Sequence, residues 1–304
     1  MDFELQPENI FLMIKTFLSA ILFLTLLNLS GQSDSVRKYR KEKIYLASGL
    51  SAFYGLSVWG MNELWYKNYE HSSFHWIDDS REWLQIDKTG HFLSSYVATR
   101  IISGGFQSAG TPKPKSVLLA SGISMLGIST IEIFDGFSAG WGASASDLLF
   151  NGAGVALFAA QTLIWNEERI IPKISWHPTS YAALRPEILG NSFAERLLKD
   201  YNGHTLWLSF NIKSLSGINK MPPWLCFSLG YGAEGMISGY DDPYISPYIK
   251  RYRQYYLSLD ADLGKIHTGS KTINKALNFL NFIKIPFPAI VLSQGNFGFR
   301  PLYF

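Results

Sequence analysis

The first half of the chain runs in long, nearly uncharged stretches at helical period, whereas the second half runs in short segments that alternate residue by residue. From Ile44 to about Tyr66 no charge appears until Glu63, and Leu46, Leu50, Phe53 and Trp59 stand among small residues, which predicts a helix. A polar, aromatic connector follows from His71 to Arg81. A second helix is predicted to begin near residues 81 to 87 and to run through His91, Tyr96 and Arg100 to about Ile102, with Gly104-Gly105 as its stop. Arg100 reads as a helix-end residue reaching water or an acid. Pro112-Lys113-Pro114-Lys115 reads as a loop. A third helix is predicted from Ser116 to Phe134, ended by Asp135-Gly136. Ser144-Ala145-Ser146-Asp147 then offers hydroxyls and a carboxylate to cap a fourth, which runs to Trp165.

Beyond residue 200 the period changes to two. Leu206, Leu208, Phe210 and Ile212 alternate with Trp207, Ser209 and Asn211, and Leu225, Phe227, Leu229 and Tyr231 with Cys226, Ser228 and Gly230. Tyr255, Leu257 and Leu259 alternate with Tyr256, Ser258 and Asp260. These are half-buried strands of an antiparallel sheet of four or five. A short helix from about Lys271 to Phe282 precedes the breaks at Pro286 and Pro288. The closing aromatic segment Phe297 to Phe304 invites an outer-membrane barrel, but the strands are too few for the smallest barrels. Gly298 and Arg300 also fall where residues should face lipid. The expected fold is therefore α+β, with a four-helix, membrane-associated bundle over residues 44–166 and an antiparallel β region over 200–304.

The uncharged parts of helices one, three and four run about 16 to 18 residues, near the lower edge for spanning a bilayer. Gly122, Gly127, Gly152 and Gly154 would lower helix propensity in water, yet they let helices approach closely in lipid, which favours membrane association. Lys15, the uncharged run Phe17 to Leu29 and the small segment Ser30-Gly31-Gln32-Ser33 read as a secretory signal over residues 1–32. Residues 1–12, ahead of Met13, read as an early start. Arg37, Lys38, Arg40, Lys41 and Lys43 pull the other way, toward a retained cytoplasm-facing end. Export with cleavage is the expectation, and with no Cys after the apolar run no lipid anchor is expected.

A net charge of +3 on 304 residues, with scattered basic groups, excludes nucleic acid as a partner. No phosphate-cradling Gly-rich loop occurs, so no nucleotide is expected either. The lone Cys226 removes intrachain disulfides and Cys-based zinc sites, and reads as a small strand residue. Membrane lipid or envelope components are the expected partners.

The chemistry lies in three polar clusters within the helical half. Asp87 and His91 are four apart, Glu132 and Asp135 three apart, and Asp147 and Asn151 four apart, so each pair shares a helix face. An isolated ionisable group on an apolar helix costs on the order of several kcal/mol, so these clusters are expected to face one another. Asp87, His91, Glu132, Asp135, Asp147 and Asn151 are the catalytic candidates, with His91 as base. His91, Glu132, Asp135 and Asp147 are the candidate ligands of a divalent metal. A buried hydrogen-bond network fixing helix register is the competing reading, and lipid headgroup binding a third. No HExxH and no GxSxG motif occurs. His71, His75, His177, His204 and His267 fall in connectors or strand ends and read as solvated.

Asp87-Lys88-x-Gly-His91-Phe92, then Glu132-x-x-Asp135, then Ser146-Asp147 with Asn151 and Gly152, resembles the YfiM-like family of unknown function, whose small members are predicted periplasmic lipoproteins. More distantly it is similar to VanZ-like membrane proteins, which share the opening, a glutamate on the next helix and the closing Asp-x-x-x-Asn-x-x-Gly. The resemblance covers about residues 83 to 165 and implies location and architecture rather than mechanism. An exported envelope protein with a structural or binding role is the expectation. An envelope enzyme such as a metal-dependent hydrolase, acting on a lipid-linked or cell-wall substrate, is the alternative.

Overall fold

The computed structural model describes residues 40–66, 70–241 and 248–303. The expected signal segment lies outside them. The fold is α+β, with eight helices and a six-stranded antiparallel sheet among the described residues. Two compact units form: the described residues through Asp79 with Ser94–Asn166, and Ser80–Leu93 with the residues from Glu167 onward.

The first unit is built on helix α1 (Arg40–Met61), which closes in a π-helical turn at Asn62–Tyr66, strand β1 (Trp76–Ile77), helix α2 (Ile86–Ser108, from Ser94 on), α3 (Lys113–Gly136), strand β2 (Ala143–Ser144) and α4 (Ala145–Ile164). Two helix boundaries differ from the sequence expectation. Gly104-Gly105 does not stop α2, because a Cβ at Gly105 would stand 2.7 Å from Leu46 Cδ1; this glycine gives α1 room to pass. The stop comes at Gly110, whose φ of 77° takes the left-handed turn that ends helices. Pro112-Lys113-Pro114 is not a loop: Pro112 caps α3 and Pro114 sits in its first turn, where a missing N–H leaves no bond unmade.

Three apolar clusters hold these helices. Tyr54 and Val58 of α1 pack with Tyr66 and Phe134, Phe106 of α2 meets Ile123 of α3, and Tyr96 joins Val117 and Phe158. Polar groups within them are paired: Tyr54 Oη lies 3.0 Å from Thr130 Oγ1, and Gln161 Nε2 donates to Tyr96 Oη at 2.9 Å. Helices α3 and α4 are long and apolar enough to cross a membrane by length and composition. Arg100 lies well inside α2 and is buried, so it does not reach water from a helix end.

In the second unit, strands β3 (Ile170–Trp176), β4 (His204–Asn211), β5 (Leu225–Glu234), β6 (Tyr252–Ala261), β7 (Phe287–Ser293) and β8 (Asn296–Tyr303) lie side by side in chain order. Short helices α5 (Pro186–Leu189), α6 (Phe193–Lys199), α7 (Ile212–Ser216) and α8 (Lys271–Phe279) join them. Strands β3 and β7 are additional to the alternation read in the sequence. Pro172 and Lys173 hide β3, and Pro288 hides β7, although it sits exposed at the start of its strand, where a proline is tolerated.

The buried half of this sheet is its polar half. Ser209, Ser228, Ser258 and Asp260 point inward with Trp207 and Tyr256, while Phe227, Leu229, Leu257 and Leu259 point out. Lys173 Nζ lies 3.0 Å from Asp260 Oδ2 and Lys284 Nζ 3.8 Å from Asp260 Oδ1, with all three side chains fully enclosed. Strand β8 corrects the sequence reading. Arg300 pairs with Ala289 and Gly298 with Val291, so both belong to the face of those buried residues. An irregularity between Phe287 and Ala289 resets the register and leaves Phe297 and Phe299 on the outer face.

Candidate functional site

The last turn of α3 carries Glu132 and Asp135, and the first turns of α4 carry Asp147 and Asn151; between them the chain makes β2, which pairs in parallel with β1. This short ladder is locked by Ala143 N–H donating to the His75 carbonyl at 3.0 Å and His75 N–H to the Gly136 carbonyl at 2.9 Å. Gly142 is required here, because a Cβ would meet Ile77 Cγ2 at 2.5 Å. The connector ending in Asp79 is thereby fixed beside the start of α4.

Ser144 organises the carboxylates. As N-cap of α4 its Oγ accepts from Asp147 N–H at 3.1 Å, its hydroxyl donates to Asp79 Oδ1, and its own N–H donates to Glu132 Oε2 at 2.9 Å. Ser146 Oγ also donates to Asp79 Oδ1, at 2.9 Å. Oxygens of Glu132 and Asp147 lie within 4.8 Å of each other, as do those of Asp79 and Asp147. Asp79, Glu132, Asp147 and Asn151 are all buried.

Burial pushes the Glu132 carboxyl up to about 8, against the opposing hydrogen bond from Ser144, and the negative charges of Asp147, Asp135 and Asp79 add to the rise. Burial thus favours the protonated form of Glu132. The positive end of α4 favours the carboxylates that remain ionised at its N-terminus. Asp135 takes a different partner: Tyr66 Oη donates to its Oδ1 at 2.7 Å, and the Tyr66 ring stacks on Phe134 with centroids 5.4 Å apart.

Of the residues singled out in the sequence, Glu132, Asp135, Asp147 and Asn151 lie together in the first unit. Asp87 and His91 are on the opening turns of α2, within Ser80–Leu93 of the second unit, where Asp87 pairs with the buried Lys88 at 3.0 Å. Asp79 and Tyr66 are absent from the sequence candidates. Asp79 stands in a connector beside Asp78 and Ser80, a composition that ordinarily marks a surface turn, and only the β1–β2 pairing reveals its position. Among the remaining histidines, His177 and His204 are partly buried rather than solvated, and burial lowers both below the usual imidazole range.

Residues 75–162 match the model of a family described as predicted periplasmic lipoprotein (DUF2279). The matched stretch runs from β1 almost to the end of α4 and includes Asp79, Asp87, His91, Glu132, Asp135, Asp147 and Asn151. The similarity is thus to exported, membrane-associated proteins of the cell envelope, in agreement with the localisation expected from the sequence. Neither the curated proteins nor the solved structures give a match.

Proposed function

We propose that the protein is a structural or binding component of the cell envelope, in which a buried polar centre fixes the register of membrane-associated helices. The observation that carries this reading is the threefold use of Ser144, whose N–H and hydroxyl engage Glu132 and Asp79 while its oxygen caps Asp147. A capping serine that ties two buried carboxylates to the start of α4, with burial favouring the protonated form of Glu132, supports a role in fixing register. The exposed Phe53, Leu56, Trp59, Leu126 and Leu149 on the helices favour association with lipid, and the YfiM-like and VanZ-like resemblances favour the same setting. On sequence spacing alone, the proposal extends to Asp87 and His91.

A second reading is favoured by the approach of a Glu132 oxygen and, separately, of an Asp79 oxygen to within 4.8 Å of Asp147: a divalent cation bound at Asp147, serving an envelope enzyme. Metal analysis of purified protein, with thermal unfolding before and after adding Mg²⁺, Ca²⁺ or Zn²⁺, separates the two. Metal-free protein with an unmoved midpoint supports the structural reading. Stoichiometric metal, or a saturable rise in the midpoint, supports the cation site.

A further inference from the structure

We infer that the outer face of the C-terminal sheet is a lipid-contacting surface, seated in the hydrocarbon of a bilayer. Its polarity is the reverse of that of a water-soluble sheet. The inner face encloses the Lys173–Asp260–Lys284 ion cluster and a ladder of serines, with Ser209 Oγ and Ser228 Oγ 2.7 Å apart. The outer face presents Phe227, Leu229, Leu257, Leu259, Ile290 and Phe299, with Leu257 48% and Phe299 65% exposed. A water-facing sheet would place these sets the other way round, because each half-exposed leucine forgoes part of the hydrophobic gain of burial.

Three features choose lipid over a protein partner. The sheet bends back on itself: Lys284 N–H donates to the Ile174 carbonyl at 2.9 Å, so the segment entering β7 hydrogen-bonds to β3, at the far end of the strand order. The apolar side of such a curved sheet is convex and continues across β5, β6, β7 and β8, a surface that acyl chains cover more readily than a single docked protein. The band also has aromatic margins. Tyr231 and Tyr255 pair across strands with centroids 5.6 Å apart, and Arg253 Nε donates to Tyr231 Oη at 3.1 Å, while Trp224 stands at the opposite end. From Trp224 to Tyr231 the strand rises about 23 Å, close to the apolar band of ~25 Å on membrane barrels. Strands β5 and β6, at ten residues each, have the length of membrane strands, which is about 9 to 11 residues.

The proposal is independent of the polar centre in the helices, and the labelled positions 257 and 299 read the sheet itself. In the full chain carrying Cys226→Ser, single cysteines at Leu257→Cys, Phe299→Cys and the exposed loop position Lys220→Cys receive a nitroxide spin label. The protein is then reconstituted into dimyristoylphosphatidylcholine vesicles. The expected result is flotation with the vesicles, and at positions 257 and 299 a severalfold higher ratio of oxygen to nickel-chelate accessibility than at position 220. Protein that does not float overturns the proposal. So does nickel accessibility at 257 and 299 equal to that at 220. Spin–spin broadening at 257 and 299 in dilute vesicles would assign the face to a second copy of the chain instead.

Discussion

The backbone N–H of Ser144 donates to Glu132 Oε2 at 2.9 Å while the Ser144 hydroxyl donates to Asp79, so one helix-capping residue ties the end of α3 to the connector after β1. Ser144→Ala removes the cap and strands part of a buried carboxylate's hydrogen bonding, and is expected to cost about 1 to 3 kcal/mol. Thermal unfolding by circular dichroism should show a midpoint several degrees lower. Ser146→Ala, which removes one contact to Asp79, should have the smaller effect.

Glu132 makes stability depend on pH. Its carboxyl is raised from 4.5 to about 8 in the folded chain, so the folded state holds this proton more tightly than the unfolded one. The contribution is fully present below about pH 4.5 and is lost as pH rises through about 8. Unfolding midpoints measured from pH 5 to pH 9 should therefore fall, by an amount corresponding to on the order of a few kcal/mol. Glu132→Gln, neutral throughout, should flatten that slope and match or exceed the parent above pH 8. An equal slope in the variant would remove Glu132 as its source.

The buried ions of the sheet predict a sharper loss. Asp260 faces both Lys173 and Lys284 with no solvent, and Ser209 Oγ donates to its Oδ2. Asp260→Ala leaves two enclosed ammonium groups without their counterion and is expected to cost about 3 to 5 kcal/mol. Folded yield and the chemical unfolding midpoint should drop together, with Asp260→Asn intermediate.

At Gly235 the backbone itself sets the residue. Its φ is 79°, and a Cβ would stand 2.2 Å from the Lys250 carbonyl oxygen. Gly235→Ala combines left-handed strain with a backbone clash and should destabilise more than the ~1 kcal/mol typical of glycine replacement. Gly217→Ala is the control, since it shares the positive φ but meets nothing within 4 Å. Unfolding midpoints should rank parent, Gly217→Ala, then Gly235→Ala.

The long helices were legible because their uncharged runs and the Ser144 cap are local features, and Glu132, Asp135, Asp147 and Asn151 were legible because helical spacing places each pair on one face. Asp79 was not, since its burial depends on a two-residue ladder between segments far apart in the chain. Strand β3 was hidden for a related reason: Lys173 interrupts an apolar run, and its partner Asp260 is in β6. The face taken by Arg300 turns on a local irregularity between Phe287 and Ala289, which leaves no mark in the alternation of residues.

Thermal unfolding of Asp147→Ala in detergent or lipid, with His91→Ala in parallel, tests the structural role of the polar centre most directly. The Asp147 carboxylate is buried within 4.8 Å of oxygens of Glu132 and of Asp79, so a register-fixing network that uses this side chain predicts a lower midpoint and lower folded yield for Asp147→Ala, by about 1 to 3 kcal/mol. The same direction is expected for His91→Ala. Unchanged or raised midpoints in both variants, accompanied by loss of a bound metal or of an envelope phenotype, would contradict the structural account and make the centre a functional site whose charges are kept at the expense of stability.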